Sequence, residues 1–163
     1  MKTTLIILVS VFLLLGIVAV YALGNTDVTA SVTVNPWKDV SVAPCASPIS
    51  FGSLNPGTDN NPVTPGCANG DIRVTSNPAS NGNIAVTITG TDFTGTPSGT
   101  IAVGQVGWDK DNTDTTTTAL TTSPVSVESA LTAGNSVDMY FFLDVPTAQT
   151  AASYSSTFTV GTA

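Results

Sequence analysis

Residues 137–145 read VDMYFFLDV, and this stretch determines the predicted fold. Apolar side chains recur at every second position from Val137 to Val145, the period of a β-strand with one core face. Tyr140 and Phe142 lie on the other face, between two aspartates. Two interpretations stay open for this aromatic pair: a loop or a neighbouring side chain covers it, or it forms an exposed patch that meets a partner. Tyr140 and Phe142 are therefore candidate interface residues.

The rest of the chain after residue 25 carries the same kind of pattern. Short runs of Val, Ile, Thr and Phe with period-two spacing are separated by Gly, Pro, Asn and Asp, and no helical period appears. Eight or nine short antiparallel strands predict an all-β fold, a single β-sandwich of jelly-roll or immunoglobulin-like type. The strand candidates are 26–34, 38–43, 48–54, 71–76, 83–90, 100–107, 124–131, 136–145 and 153–161.

The N-terminal 24 residues are predicted to form a secretory signal peptide. Lys2 precedes an uncharged apolar run over residues 5–23, followed by small residues suited to signal peptidase. The run is also long enough to span a bilayer, so an uncleaved anchor is the second interpretation. The predicted organisation is a signal segment over 1–24, an N-terminal strand segment over 25–36 and a β-sandwich domain over 37–163.

The charge balance and the cysteines indicate the environment of the protein. Four basic residues against eleven acidic ones give a formal net charge of −7, which disfavours nucleic acid and anionic lipid surfaces. We therefore expect no nucleic-acid partner, and membrane contact only through the signal segment. Cys45 and Cys67 are the only cysteines, and an even pair in an exported protein predicts a disulfide, with two free buried thiols as the alternative.

The sequence does not favour an enzyme. It has no histidine, so a Ser-His-Asp or Cys-His nucleophile system cannot be assembled, and no pair of carboxylates is marked for glycoside hydrolysis. One acidic loop carries oxygen ligands at the spacing that suits Ca²⁺, with a solvated acidic loop as the alternative. No other cofactor is expected. The candidate calcium ligands are Asp109, Asp111, Asn112 and Asp114.

Residues 25–36, NTDVTASVTVNP, raise the question of where their strand belongs. The segment can fold into its own sandwich, it can enter a groove of the next subunit and complete a sheet there, or it can be a disordered tether. Head-to-tail donation that does not close into a ring produces a fibre. The donor face would comprise Val28, Ala30, Val32 and Val34, and the hinge would comprise Pro36, which fixes an extended chain, and Trp37.

This layout of signal segment, alternating strand and small histidine-free β-sandwich resembles the TasA/camelysin-type fibre subunits and the archaeal bundling pilins that share their fold. Two stretches also resemble archaeal and bacterial surface β-domains: ISFGSLNPGT at 49–58 and DMYFFLDVPTAQTAASYSSTFTV at 138–160. The resemblance implies a jelly-roll subunit that polymerises by N-terminal strand donation into extracellular filaments or biofilm matrix.

The predicted function is therefore a secreted structural subunit of a cell-surface filament, a homopolymer assembled by donor-strand complementation. Phe141, Leu143 and Phe158 are the candidate wall residues of the acceptor groove. The alternative is a membrane-tethered or secreted adhesive β-sandwich that recognises a surface ligand through its acidic loops.

Overall fold

A computed structural model describes residues 31–163, and a compact unit comprises Asn35–Ala163. The predicted signal segment, together with Val28 and Ala30 of the predicted donor face, lies outside the described residues. Within the described residues the regular structure is β-strand apart from one 3-10 turn at Val103–Gln105. The predicted all-β fold is confirmed.

Twelve strands follow one another in the described part of the chain, and three of them have only two residues each. Seven of the nine predicted strands overlap observed strands, whereas 48–54 and the described part of 26–34 do not. In chain order the strands are β1 (Val40–Pro44), β2 (Asn61–Pro62), β3 (Ile72–Ser76), β4 (Ile84–Gly90), β5 (Phe93–Thr96), β6 (Thr100–Ile101), β7 (Val106–Asp109), β8 (Thr118–Ala119), β9 (Val125–Leu131), β10 (Ser136–Leu143), β11 (Ser153–Ser155) and β12 (Phe158–Thr162).

The strands form antiparallel sheets that pack as a β-sandwich. The largest sheet has the order β1-β3-β10-β7-β8, with β2 also paired to β10. Two three-stranded sheets have the orders β12-β4-β9 and β11-β5-β6. Because β1 pairs only with β3, β12 only with β4 and β11 only with β5, these three strands are sheet edges within the described structure.

Period-two burial explains why the sequence forms these strands. In β4 the side chains of Ile84, Val86 and Ile88 point inward and are fully buried, while the residues between them are partly exposed. The central strand β10 contributes Met139 and Phe141 to the same core. Each large apolar side chain that is fully buried contributes about 1.5–3 kcal/mol, so the sheets are held together mainly by this interior.

The predicted disulfide is present. Cys45 and Cys67 are bonded, with their Cα atoms 6.2 Å apart. Cys45 directly follows β1, and its backbone N–H donates to the carbonyl oxygen of Asp71, just before β3, at 2.9 Å. The bridge therefore ties the segment after β1 to the segment that leads into β3.

Three strand predictions after residue 37 differ from the structure. Residues 48–54 form no strand, because their backbone has no ladder partner among the described residues and Gly52 has a φ of +74°. The predicted strand 100–107 is divided into β6 and β7 by the 3-10 turn, and the predicted strand 153–161 is divided into β11 and β12 at 156–157. The short strand β5 follows β4 closely and was not predicted.

Candidate assembly groove

A long groove opens beside the edge strands. Its volume is about 1240 Å³, above the roughly 300–1,000 Å³ of small-molecule pockets. One wall is the segment 46–56, which we call the strap, and it continues from the inner side of β1 at Val42 and Pro44. The opposite wall is the segment 149–160, which includes β11 and the start of β12. The floor comprises Ile72, Phe93, Ile101, Leu143 and Val145.

The groove is uncharged and partly aromatic. None of the described residues that line it is an Asp, Glu, Lys or Arg, although the chain has a net charge of −7. Phe93 at the floor makes edge-on contacts with Phe51 of the strap, at a centroid distance of 6.3 Å, and with Phe158 of the far wall, at 6.1 Å. An uncharged apolar segment would enter this space without the desolvation penalty of a charge.

The predicted wall residues fall close together. Leu143 and Phe158 line the groove. Phe141 is fully buried and is not among the lining residues, but its ring packs against Phe158 with centroids 5.1 Å apart. Phe141 therefore supports the wall from within the core.

The edge of β12 beside the groove has unpaired backbone groups. Ala163 and Ala85 exchange both of their backbone hydrogen bonds, at 2.9 and 3.0 Å. Hydrogen-bonded and non-bonded pairs alternate along an antiparallel ladder, so Phe158 and Val160 direct their N–H and C=O groups away from β4. Those groups have no partner among the described residues. The side chains of both residues line the groove.

The edge of β1 is also unpaired but less regular. The backbone hydrogen bond from Cys45 to Asp71 shows which pairs of this ladder are hydrogen-bonded. Val40 and Val42 belong to the non-bonded pairs and direct their backbone groups away from β3. Pro44, the last residue of β1, has no N–H to offer. Val42 is 43% exposed although its ladder partner on β3 is fully buried. The sandwich is thus open on this side.

The C-terminal part of the predicted donor segment is exposed. Residues 31–39 form no strand, and the side chains of Val32 and Val34 are 87% and 72% exposed. A strand inside its own sandwich would bury alternate residues. These two valines are not buried anywhere in the described structure.

The predicted hinge is anchored through its backbone. The Trp37 N–H donates to the Oδ1 of Asn81, and the Asn81 N–H donates to the Trp37 carbonyl at 3.0 Å. The Asn81 side-chain amide also donates to the carbonyl of Asn35 at 3.2 Å. Pro36 stands between these contacts, and half of the Trp37 surface is exposed. The turn at Asn81 therefore fixes the point where the chain enters the sandwich.

The aromatic pair of β10 does not form an exposed patch. Phe142 is only 6% exposed, and it pairs in register with Gly107, over which Thr117 packs closely. Tyr140 is partly buried, and its hydroxyl donates to the Ala68 carbonyl at 3.4 Å. The exposed-patch interpretation is therefore wrong for Phe142, and the alternative of a covering loop applies to it.

The predicted calcium ligands are not gathered into one site. Asp109 is buried, and its Oδ1 accepts the N–H of Asp111 at 3.1 Å, while Asp114 is exposed. Among the described residues, one group of three or more His, Cys, Asp or Glu side chains has its ligand atoms close enough for a metal, and it does not include these aspartates. Asn112 lies between them with a φ of +56°. The loop shows hydrogen bonds within itself rather than converging carboxylates.

That one group comprises Cys45, Cys67 and Asp71, but the two sulfur atoms are bonded to each other. Asp71 is a buried carboxyl group that the sequence pattern did not single out. Its Oδ2 accepts the N–H of Phe141 at 2.8 Å. Burial raises the pKa of Asp71, and the hydrogen bond from Phe141 offsets part of that rise. Asp71 thus connects the disulfide region to the central strand.

Comparison with known proteins gives no relative: no family model, no curated protein and no solved structure matches this chain. Among residues 31–163, no helix has the length and apolar character needed to cross a membrane.

Proposed function

We propose that the protein is a structural subunit of an extracellular filament that assembles by donor-strand complementation. Residues 26–34 of one copy would lie in the groove of the next copy. The observation that carries the proposal is the coexistence, in one chain, of an exposed valine segment at Val32 and Val34 and an uncharged groove with an apolar floor. Each is unfavourable in water alone, and each supplies what the other lacks.

The chemistry of the donor face agrees with this assignment. Burying a valine side chain contributes about 1.5–3 kcal/mol. The valine face of the donor would therefore gain stability against the apolar floor of the groove.

The hinge and the strap lie at opposite ends of β1. The chain enters the sandwich at Asn81, next to the Val40 end of β1. The strap begins beyond Pro44, at the other end of β1. Insertion of the donor of one copy into the groove of the next would be a heterologous contact, which repeats as a fibre unless its rotation closes a ring.

An extracellular location is part of the same proposal. The Cys45–Cys67 disulfide is compatible with an oxidising compartment. The absence of a charged group from the groove lining also lets subunits that each carry net negative charge dock through a neutral surface.

A pair of charge substitutions on opposite faces of the donor tests the proposal. Val32→Asp would place an unpaired carboxylate in the groove, and we expect filaments to disappear from electron micrographs of the secreted protein. Thr33→Asp introduces the same charge one residue along, on the face that points out of the groove, and we expect it to assemble. Filaments from the Val32 variant, or no filaments from the parent protein across a concentration series, would refute the function.

A further inference from the structure

We propose that the donor segment of a second copy lies between the strap and the free edge of β12, and that it hydrogen-bonds to β12 rather than to β1. This assignment rests on the proposed function and names its acceptor site. The occupant is residues 26–34 of an identical chain. The groove then has two distinct contacts with that segment: backbone pairing on one side and apolar cover on the other.

The backbone of β12 is the better partner for a new strand. Phe158 and Val160 offer complete N–H and C=O pairs on the side away from β4, and their side chains already line the groove. At β1, Pro44 ends the corresponding row after Val42, and a proline on an edge strand blocks further pairing. The wall that contains the start of β12 also includes the edge strand β11, although the two strands belong to different sheets.

The strap supplies apolar cover but little backbone structure of its own. Ile49, Phe51 and Leu54 pack against the core and stay partly exposed. Within the described structure, the only backbone-to-backbone hydrogen bond from the strap to another segment joins the carbonyl of Ser50 to the N–H of Thr64, at 2.7 Å. The strap therefore holds a row of apolar side chains over an open space that its own chain does not fill.

The disulfide fixes the position of the strap. Cys45 immediately precedes it, and the bridge to Cys67 holds Cys45 against the segment before β3. A preformed wall lowers the ordering cost of docking a strand. The acceptor groove is consequently expected to need the intact disulfide for full affinity.

A second copy is the occupant that the observations favour. The exposed valines belong to the same chain and are not buried in the described structure. The lining has no charged side chain to select an acidic or basic ligand. The alternation of Val32 and Val34 matches a groove that requires one apolar face and unpaired backbone groups.

Amide hydrogen exchange tests the assigned edge directly. The reference is the full secreted chain carrying Val32→Asp and Val34→Asp, which keeps the groove and lacks a functional donor. In filaments of the parent protein, we expect the amides of Phe158 and Val160 to exchange at least about tenfold more slowly than in this reference. The amides of Val40 and Val42 are expected to exchange at unchanged rates. Protection at Val40 and Val42 with none at Phe158 and Val160 would overturn the assignment and leave the filament function standing.

A binding experiment tests the strap separately. The probe is a synthetic peptide of residues 25–36, added to the donor-deficient full chain. Removing the apolar cover with Phe51→Ala and Leu54→Ala should weaken binding of the peptide by roughly ten- to hundredfold. The matched control is Val125→Ala, which shortens another partly buried residue packed against the core but lies outside the groove lining.

The outcomes separate the two proposals. Unchanged peptide affinity in the strap variant, with filaments still formed by the parent, would refute the strap assignment alone. Absence of both peptide binding and filaments would refute the function and the assignment together. Thermal unfolding of each variant by circular dichroism identifies a fold defect, and the exchange experiment decides the edge without any groove substitution.

Discussion

The contribution of the disulfide to the free energy of unfolding can be calculated from the structure. Replacing Cys45 and Cys67 together by Ala removes a bridge between residues separated by 22 positions. The chain-entropy model then gives a loss of about 3.4 kcal/mol in the free energy of unfolding. For a domain of this size each kcal/mol lowers the melting temperature by roughly 3–5 °C, so the midpoint should fall by roughly 10–17 °C.

Urea unfolding followed by tryptophan fluorescence measures this change. The midpoint concentration should fall, and a larger slope is expected as well, because an uncrosslinked chain exposes more surface when it unfolds. The parent protein in excess reductant is the control, since it should approach the behaviour of the double variant. A free-energy difference below about 1 kcal/mol would refute the reasoning that the bridge acts chiefly by restricting the unfolded chain.

The same variant has a consequence for assembly that differs from its effect on stability. Well below its melting temperature the double variant should remain folded, because β1 keeps its ladder to β3. The strap loses its fixed start, so we expect fewer and slower-growing filaments than from the parent at equal concentration. Equal assembly of the folded variant would show that the groove does not depend on the bridge.

Three other perturbations probe the buried carboxyl group, the acidic loop and the core. The raised pKa of Asp71 means that the folded state holds this proton more tightly, so its contribution to stability falls as pH rises above 3.8 through the raised value. Asp71→Asn removes this pH-dependent contribution. Urea unfolding at several pH values should therefore show the free energy of unfolding of the variant rising relative to that of the parent as pH rises. A calcium chelator should leave the melting curve unchanged, because the carboxylates of the 109–114 loop do not converge; a lowered midpoint would contradict this. Phe141→Ala, in the fully buried core, should destabilise by about 3–5 kcal/mol in the same unfolding assay.

The sequence was sufficient to predict the elements whose burial repeats with period two. The strands β4 and β10 were predicted within a few residues, because Val86 and Met139 belong to uninterrupted alternating runs whose inner face is buried. The disulfide was predictable because the chain has two cysteines and no others. These features depend on local pattern or on composition, and neither requires knowledge of the tertiary contacts.

The aromatic pair and the acidic loop could not be resolved in this way. Whether Phe142 is covered depends on Gly107 and Thr117, which are distant in sequence and reach it only through the β7–β10 pairing. The spacing of acidic residues along the sequence after Asp109 suits calcium. However, the directions of the loop carboxylates are set by turns that this spacing does not specify. Asp71 gave no sequence signal, because its role follows from burial beside the central strand.

The strand predictions that lack a counterpart in the described subunit share one physical feature. The described part of 26–34 has a period-two apolar pattern, and 48–54 has one at Ile49 and Phe51, yet neither forms a strand, because neither has a ladder partner within the described chain. A strand is defined by pairing as well as by propensity, and propensity alone leaves an exposed segment liable to pair with another chain. In the proposed filament these two segments meet at one groove: 26–34 gains the ladder of β12, and 48–54 gains an apolar segment to cover. The sequence pattern at both places would then reflect the assembled state of the protein. The isolated subunit supplies only one side of each contact.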